Sequence, residues 1–171
     1  YEGVEYDNGS DVTKAVTVAS QLVTDGVTAV IGPATSGGSA ASYQVLNDAG
    51  IFVVSPSATQ NNITLDPNGK VYDNVFRVCF EDSYHGAGMA QYAKDTLGKT
   101  KAVIFGDSDS DYSKGLVEAF TNQFAKVGGT VVTTEYYTAG DTDFSATLTK
   151  VKGLDFDCIY VAGYSSEAGL I

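Results

Sequence analysis

Two hydroxyl-rich stretches, Gly32-Pro33-Ala34-Thr35-Ser36-Gly37-Gly38-Ser39 and Ser55-Pro56-Ser57-Ala58-Thr59, each follow directly on a short apolar run. Serine and threonine hydroxyls with main-chain amides, and no arginine, lysine or histidine within either stretch, suit a carboxylate or ammonium group that is held and not transformed. The runs Thr28 to Ile31 and Ile51 to Val54 predict buried parallel strands. Both stretches then fall at strand carboxyl ends, where open α/β sheets bind ligands.

Other residues with chemical potential are weaker candidates. Asp107, Asp109 and Asp111 with Glu118 match positions 1, 3, 5 and 12 of a calcium loop, but position 6, which needs glycine for a sharp turn, is Tyr112. The segment also follows a strand, so a solvated acidic loop with Asp111 capping the next helix is expected. His85 is the only histidine, which leaves a zinc site or a catalytic triad without its usual parts. Cys79 and Cys158 lack metal spacing, and separate free thiols are expected. Gly37-Gly38 and Gly86-Ala87-Gly88 have neither phosphate-loop spacing nor a following lysine. A formal charge of −11 with a single arginine, Arg77, excludes the basic surface on which nucleic-acid binding depends. Hydrophobic residues at 43% against 18% charged residues indicate a globular chain. No apolar run reaches the roughly 18 residues a membrane span needs.

The elements that would position these residues alternate along the chain. Asp11 is a plausible cap for a helix carrying Val12, Ala15, Val16, Ala19, Leu22 and Val23 at helical spacing, stopped by Asp25-Gly26. After the loop through Ser39, a helix is predicted over Ala40 to Asn47, with Gly50 as its stop. Ser55 to Asn74 is polar and contains two of the three prolines, so little regular structure is expected there. A strand over Val75 to Phe80 precedes a second series. That series comprises helix Ser83 to Leu97, strand Lys101 to Phe105, helix Tyr112 to Val127, strand Thr130 to Tyr136, helix Asp143 to Lys152 and strand Cys158 to Ala162. Such alternation predicts parallel sheets with crossover helices, an α/β fold. A boundary is expected near Phe80 to Ser83, giving units 1–80 and 81–171.

Taken in order, Ile31-Gly32-Pro33, Ser55-Pro56-Ser57-Ala58-Thr59, Phe76-Arg77, Gly106-Asp107, Asp111-Tyr112-Ser113-Lys114-Gly115, Asp143-Phe144-Ser145 and Ala162-Gly163-Tyr164 resemble the leucine/isoleucine/valine-type periplasmic binding proteins. These are the substrate-binding components of amino-acid ABC importers. The resemblance implies a type I fold of two doubly wound parallel-sheet lobes that close on a ligand about a hinge. It further implies an amino-acid ligand, a membrane permease as partner, an extracytoplasmic location in the periplasm or as a cell-surface lipoprotein, no cofactor, and no enzymatic activity. By the same resemblance Ser36 would hydrogen-bond the ligand carboxylate, the alternative being a helix cap. The segment Ser57, Ala58 and Thr59 would orient carboxylate and ammonium through Ser57 backbone groups and the Thr59 hydroxyl, the alternative being turn residues. Tyr112 and Tyr164 would close over the ligand, the alternative being simple packing. Glu167 is a possible acidic partner for the ammonium, although in relatives that carboxylate is expected further along.

Against that family pattern the chain is expected to be an internal piece, truncated at both ends. The strand-like alternation from Tyr1 to Tyr6 opens it, and a helix begins near Glu167 just before Ile171. Uncovered apolar faces would follow, stabilised in a longer chain or by exchange with a neighbour. Two rival functions stay open: a sensor or receptor ectodomain on the same fold, and a doubly wound enzyme such as a sugar or nucleotide hydrolase.

Overall fold

A computed structural model of the protein describes residues 2–171. The chain divides into two compact units, one running to Phe80 and the other spanning Glu81–Ile171.

In the first unit, helix α1 (Val12–Thr24) starts where Asp11, in extended conformation, accepts a hydrogen bond from the Lys14 amide. Gly26 follows the helix with φ +70°, the left-handed conformation that suits a chain reversal after a helix. Strand β1 (Ala29–Ile31) leads to α2 (Ser36–Asp48), then β2 (Phe52–Ser55) and, after a long loop, β3 (Val75–Arg77). The strands form a parallel sheet in the order β1-β2-β3, with Ile31 opposite Val54 and Ser55 opposite Arg77. Helix α2 begins four residues earlier than the sequence predicts. Thr35 rather than a later residue takes the cap position, its Oγ1 accepting from the Gly38 amide at 3.3 Å. Two consecutive glycines are poor helix formers, yet a side chain at position 38 would be crowded. A Cβ there would lie 3.0 Å from Thr35 Oγ1 and 3.1 Å from Asn8 Nδ2.

The first core gathers Ala19, Tyr43, Leu46, Val53, Ile63 and Val75 between this sheet and the helices. Only one face of the sheet is covered: Ile31 is 84% exposed, and Phe52, Phe76 and Val78 on the same side are also open. The prediction of fully buried strands is thus corrected to one-sided burial, with the Phe52 and Phe76 rings 5.1 Å apart on the open face. The predicted strand over Val75 to Phe80 ends at Arg77: β2 itself ends at Ser55, and the Val78 amide on the Ser55 carbonyl is the last bond between them. Residues 2–6 form no strand, and Tyr1, the start of that predicted alternation, lies outside the described residues.

In the second unit, α3 (Asp82–Gln91) runs into a π turn (Tyr92–Thr96) closed by the Leu97 amide on the Tyr92 carbonyl. Strand β4 (Lys101–Asp107), α4 (Asp111–Lys126), β5 (Thr130–Tyr137), α5 (Ser145–Lys152), β6 (Cys158–Ala162) and the short α6 (Ser165–Ala168) follow. The sheet is parallel in the order β5-β4-β6. Central β4 is buried on both faces, which explains its unbroken apolar run. Ala102 and Ile104 join Leu116, Phe120, Phe124 and Tyr160 on one side, while Val103 and Phe105 join Tyr137, Phe144 and Val151 on the other.

Candidate functional site

Because Ile31 and Val54 are register partners, the loops leaving β1 and β2 start side by side. Side-chain bonds then join them. Ser57 Oγ donates to the Ala34 carbonyl at 2.8 Å, and the Gln60 amide donates to Ser36 Oγ at 3.2 Å. Ser55 Oγ accepts from the Ala58 amide at 3.0 Å, forming the turn that brings Thr59 back toward α2. The structure therefore brings Ser36, Ser57, Ala58 and Thr59 into one constellation in the first unit.

These bonds decide what each hydroxyl can offer. Ser36 is 3% exposed and sits in the first turn of α2, but Thr35, not Ser36, is the cap. Since Ser36 Oγ already accepts from Gln60, its own hydrogen is left for an acceptor. Ser57 gives its hydroxyl hydrogen to Ala34, so its Oγ can only accept and any donation to a ligand falls to its backbone. Thr59 is buried, and its hydroxyl makes no hydrogen bond among the described residues. A hydroxyl donor beside the amino terminus of a thirteen-residue helix favours a negatively charged oxygen.

In the second unit, Tyr112 in the first turn of α4 and Tyr164 at the start of α6 come together, their rings stacked at 5.3 Å and 28°. Tyr164 is 46% exposed, so the pair keeps an open face. Burial, and after it the charge of Asp82, pushes the Tyr112 hydroxyl above its ordinary pKa. Burial, Tyr112, Asp82 and Asp107 do the same to Tyr164. Ser113 ties the underlying ends: its Oγ accepts from the Asp107 amide at 2.7 Å and donates to the Ala162 carbonyl. Gly163, just before Tyr164, leaves room for a neighbour, because a Cβ there would overlap the Tyr137 hydroxyl, which would have to move.

Glu167 is buried, with Oε1 accepting from the Gly140 amide at 2.9 Å, so this carboxylate serves a loop contact inside its own unit. In the acidic run, Ser110 caps α4 by accepting from the Ser113 amide, correcting the expected Asp111 cap. Asp111 lies one residue further on, 3.6 Å from Lys114 Nζ. Asp107 turns inward to accept from the Asp109 amide at 2.9 Å. Among the described residues no three His, Cys, Asp or Glu side chains converge as a metal site would require. Both cysteines are free thiols. A cavity of about 1470 Å³ in the first unit lies along the edge of β1 and against α1. Its walls are largely apolar, including Ala15, Ala19, Leu22 and Val30, and it does not reach Ser36 or Thr59. The sequence reading missed the Gln60 amide, whose only advance signal was its position immediately after Thr59.

A family model described as periplasmic binding protein matches residues 1–170. The Leu/Ile/Val-binding protein homolog 3 of Brucella melitensis is 34% identical over 165 residues, covering 96% of this chain and 44% of that protein. The leucine-specific-binding protein of Salmonella typhimurium is 31% identical over 167 residues, covering 98% of this chain and 44% of its own length. The chain thus spans under half the length of these relatives. Among solved structures, the branched-chain amino acid transporter substrate binding protein LivJ of Streptococcus pneumoniae, in complex with isoleucine, superposes with a TM-score of 0.88. It is 43% identical, over 98% of this chain and 46% of that one. The leucine binding protein LivK of Thermotoga maritima gives 0.89 at 34% identity, over 96% and 45%. With a family model matching residues 1–170 and curated relatives at 31–34% identity across nearly its whole length, the chain belongs to the periplasmic binding protein family.

Proposed function

We propose that this chain is part of an extracytoplasmic substrate-binding protein of an ABC importer, which captures a branched-chain or other small aliphatic amino acid and delivers it to a membrane permease. One observation carries the reading. Ser36 Oγ accepts from the Gln60 amide, which leaves its hydrogen for a ligand, in the first turn of α2 and bonded to the residue that follows Thr59, whose hydroxyl makes no hydrogen bond among the described residues. That set holds a carboxylate by neutral donors, with no general base and no nucleophile activated by a neighbour, which fits binding and release without turnover. Tyr112 and Tyr164 supply a stacked aromatic face for the rest of the ligand. The pneumococcal relative bound to isoleucine and a Desulfitobacterium hafniense substrate-binding protein in complex with Leu support an aliphatic amino acid.

The test is calorimetry on the full-length protein with leucine, isoleucine, valine and threonine, with mass spectrometry of the recovered ligand. Binding of at least one and recovery of it unchanged is the expected result. A Rhodopseudomonas palustris solute binding protein of the same fold holds benzoate, so benzoate is the informative competitor. Binding of benzoate with no amino acid bound, or conversion of the ligand, would overturn the reading.

A further inference from the structure

The motif Phe76-Arg77 and the nearby Cys79 take no part in the ligand contacts above, yet both side chains reach the loop that carries them. Arg77, the sole arginine, ends β3 beside Ser55. Its Nη1 donates to the Gln60 carbonyl at 2.6 Å and to the Ala58 carbonyl at 3.5 Å, and its Nη2 donates to the Asn61 carbonyl at 3.4 Å. Cys79 Sγ donates to the same Ala58 carbonyl at 3.5 Å.

We propose that Arg77 and Cys79 are positioning residues for ligand recognition, fixing the Ala58–Thr59 peptide so that the Thr59 amide and hydroxyl face the ligand carboxylate. The inference rests on the reading of Ser36 and Thr59 as carboxylate contacts. In a planar trans peptide the C=O and N–H point in opposite directions. Donors from Cys79 and Arg77 on the Ala58 oxygen therefore turn the Thr59 N–H to the far side of that peptide, where it makes no bond among the described residues. A guanidinium can hold the Gln60 and Asn61 carbonyls at once because its donors form a rigid planar fork, which the single ammonium of a lysine cannot reproduce. Its charge also polarises these peptides, strengthening the N–H groups on their opposite ends as donors. In a chain of formal charge −11, this sets the one arginine behind the donors meant for an anion.

The experiment uses the full-length protein with Arg77→Lys, Arg77→Met, Cys79→Ser and Cys79→Ala, titrated with leucine and with leucinamide, which lacks the carboxylate. Arg77→Lys is expected to weaken leucine binding about tenfold and Arg77→Met by more, one lost positioning bond being worth about that factor. Cys79→Ser keeps affinity within about twofold and Cys79→Ala loses about threefold, since a thiol is a weak donor. Leucinamide binding falls less than leucine binding, so the preference for the carboxylate shrinks. An unchanged leucine affinity in Arg77→Lys, or an equal loss for both ligands, overturns the proposal by showing a purely structural role. Should Arg77→Met not fold, the lysine and cysteine variants decide. If the unmodified protein binds neither compound, the underlying reading fails and this inference falls with it. Binding by the unmodified protein with no change in the variants removes this inference alone.

Discussion

Adjacent residues Thr35 and Ser36 should separate stability from recognition, and the pair offers the sharpest test of the site. Thr35 Oγ1 caps α2 through the Gly38 amide, while Ser36 Oγ receives the Gln60 amide and keeps its hydrogen for a ligand. Thr35→Ala removes the cap, which costs about 0.5–2 kcal/mol of stability. It removes no ligand contact, so affinity should change little. Ser36→Ala deprives the partly buried Gln60 amide of its acceptor, costing about 1 kcal/mol of stability. On the proposed function it would also delete a hydrogen bond to the ligand carboxylate, worth about 1.5–3 kcal/mol, which corresponds to a loss of about 10- to 150-fold in affinity. Calorimetry with the bound amino acid and urea denaturation of the apo form, both on the full-length protein, measure the two quantities independently. The reasoning is refuted if Ser36→Ala binds as tightly as the unmodified protein, or if Thr35→Ala loses more affinity than Ser36→Ala.

Further expectations follow from other parts of the molecule. Thr59→Ala, removing a buried hydroxyl that makes no hydrogen bond among the described residues, should weaken ligand binding by about 1–3 kcal/mol while leaving the melting temperature nearly unchanged, as calorimetry and thermal melts would show. Tyr137 is 6% exposed, its hydroxyl has no hydrogen-bond partner among the described residues, and burial followed by the charges of Asp107 and Glu167 pushes its pKa up to about 12. Tyr137→Phe should therefore be neutral or stabilising, whereas Gly163→Ala should destabilise by about 1–3 kcal/mol and be partly rescued by Tyr137→Phe in a double-mutant melt. Burial would raise the Asp157 pKa, but the amides of Lys101 and Thr100 and the Thr100 hydroxyl outweigh it and hold the carboxyl below its usual range. A depressed folded pKa contributes stability above the unfolded value, about 3.9, and loses it as pH falls through the folded one. Melts from pH 6 downward should accordingly show an acid-side loss that Asp157→Asn flattens.

Much of the architecture was legible in residue order, for reasons that differ by element. β4 is continuous and apolar because both its faces are covered, and α1 announces itself through Asp11, helical spacing and Gly26. The start of α2 was not legible. Gly37 and Gly38 argue for a loop on propensity, and only crowding by Thr35 and Asn8 shows why a residue without a side chain suits that place in the helix. The end of β3 was hidden likewise, since a strand stops when its neighbour stops pairing, and that neighbour lies some twenty residues earlier in the chain.

For the site, sequence alone determined which chemistry was on offer: hydroxyls and amides after two apolar runs, and tyrosines at two later junctions, in an acidic chain with one arginine. Residue types fix what a group can donate or accept, and local patterning places it at a strand end. Tertiary structure decided how each group is spent. The Ser57 hydroxyl hydrogen goes to Ala34, one Glu167 oxygen takes the Gly140 amide and Ser110 caps its helix, while Ser36 accepts from Gln60 and the Ala58 carbonyl accepts from Arg77 and Cys79. A hydrogen bond depends on distance and direction between groups far apart in the chain, and these exist only once the sheet has brought its strand ends together.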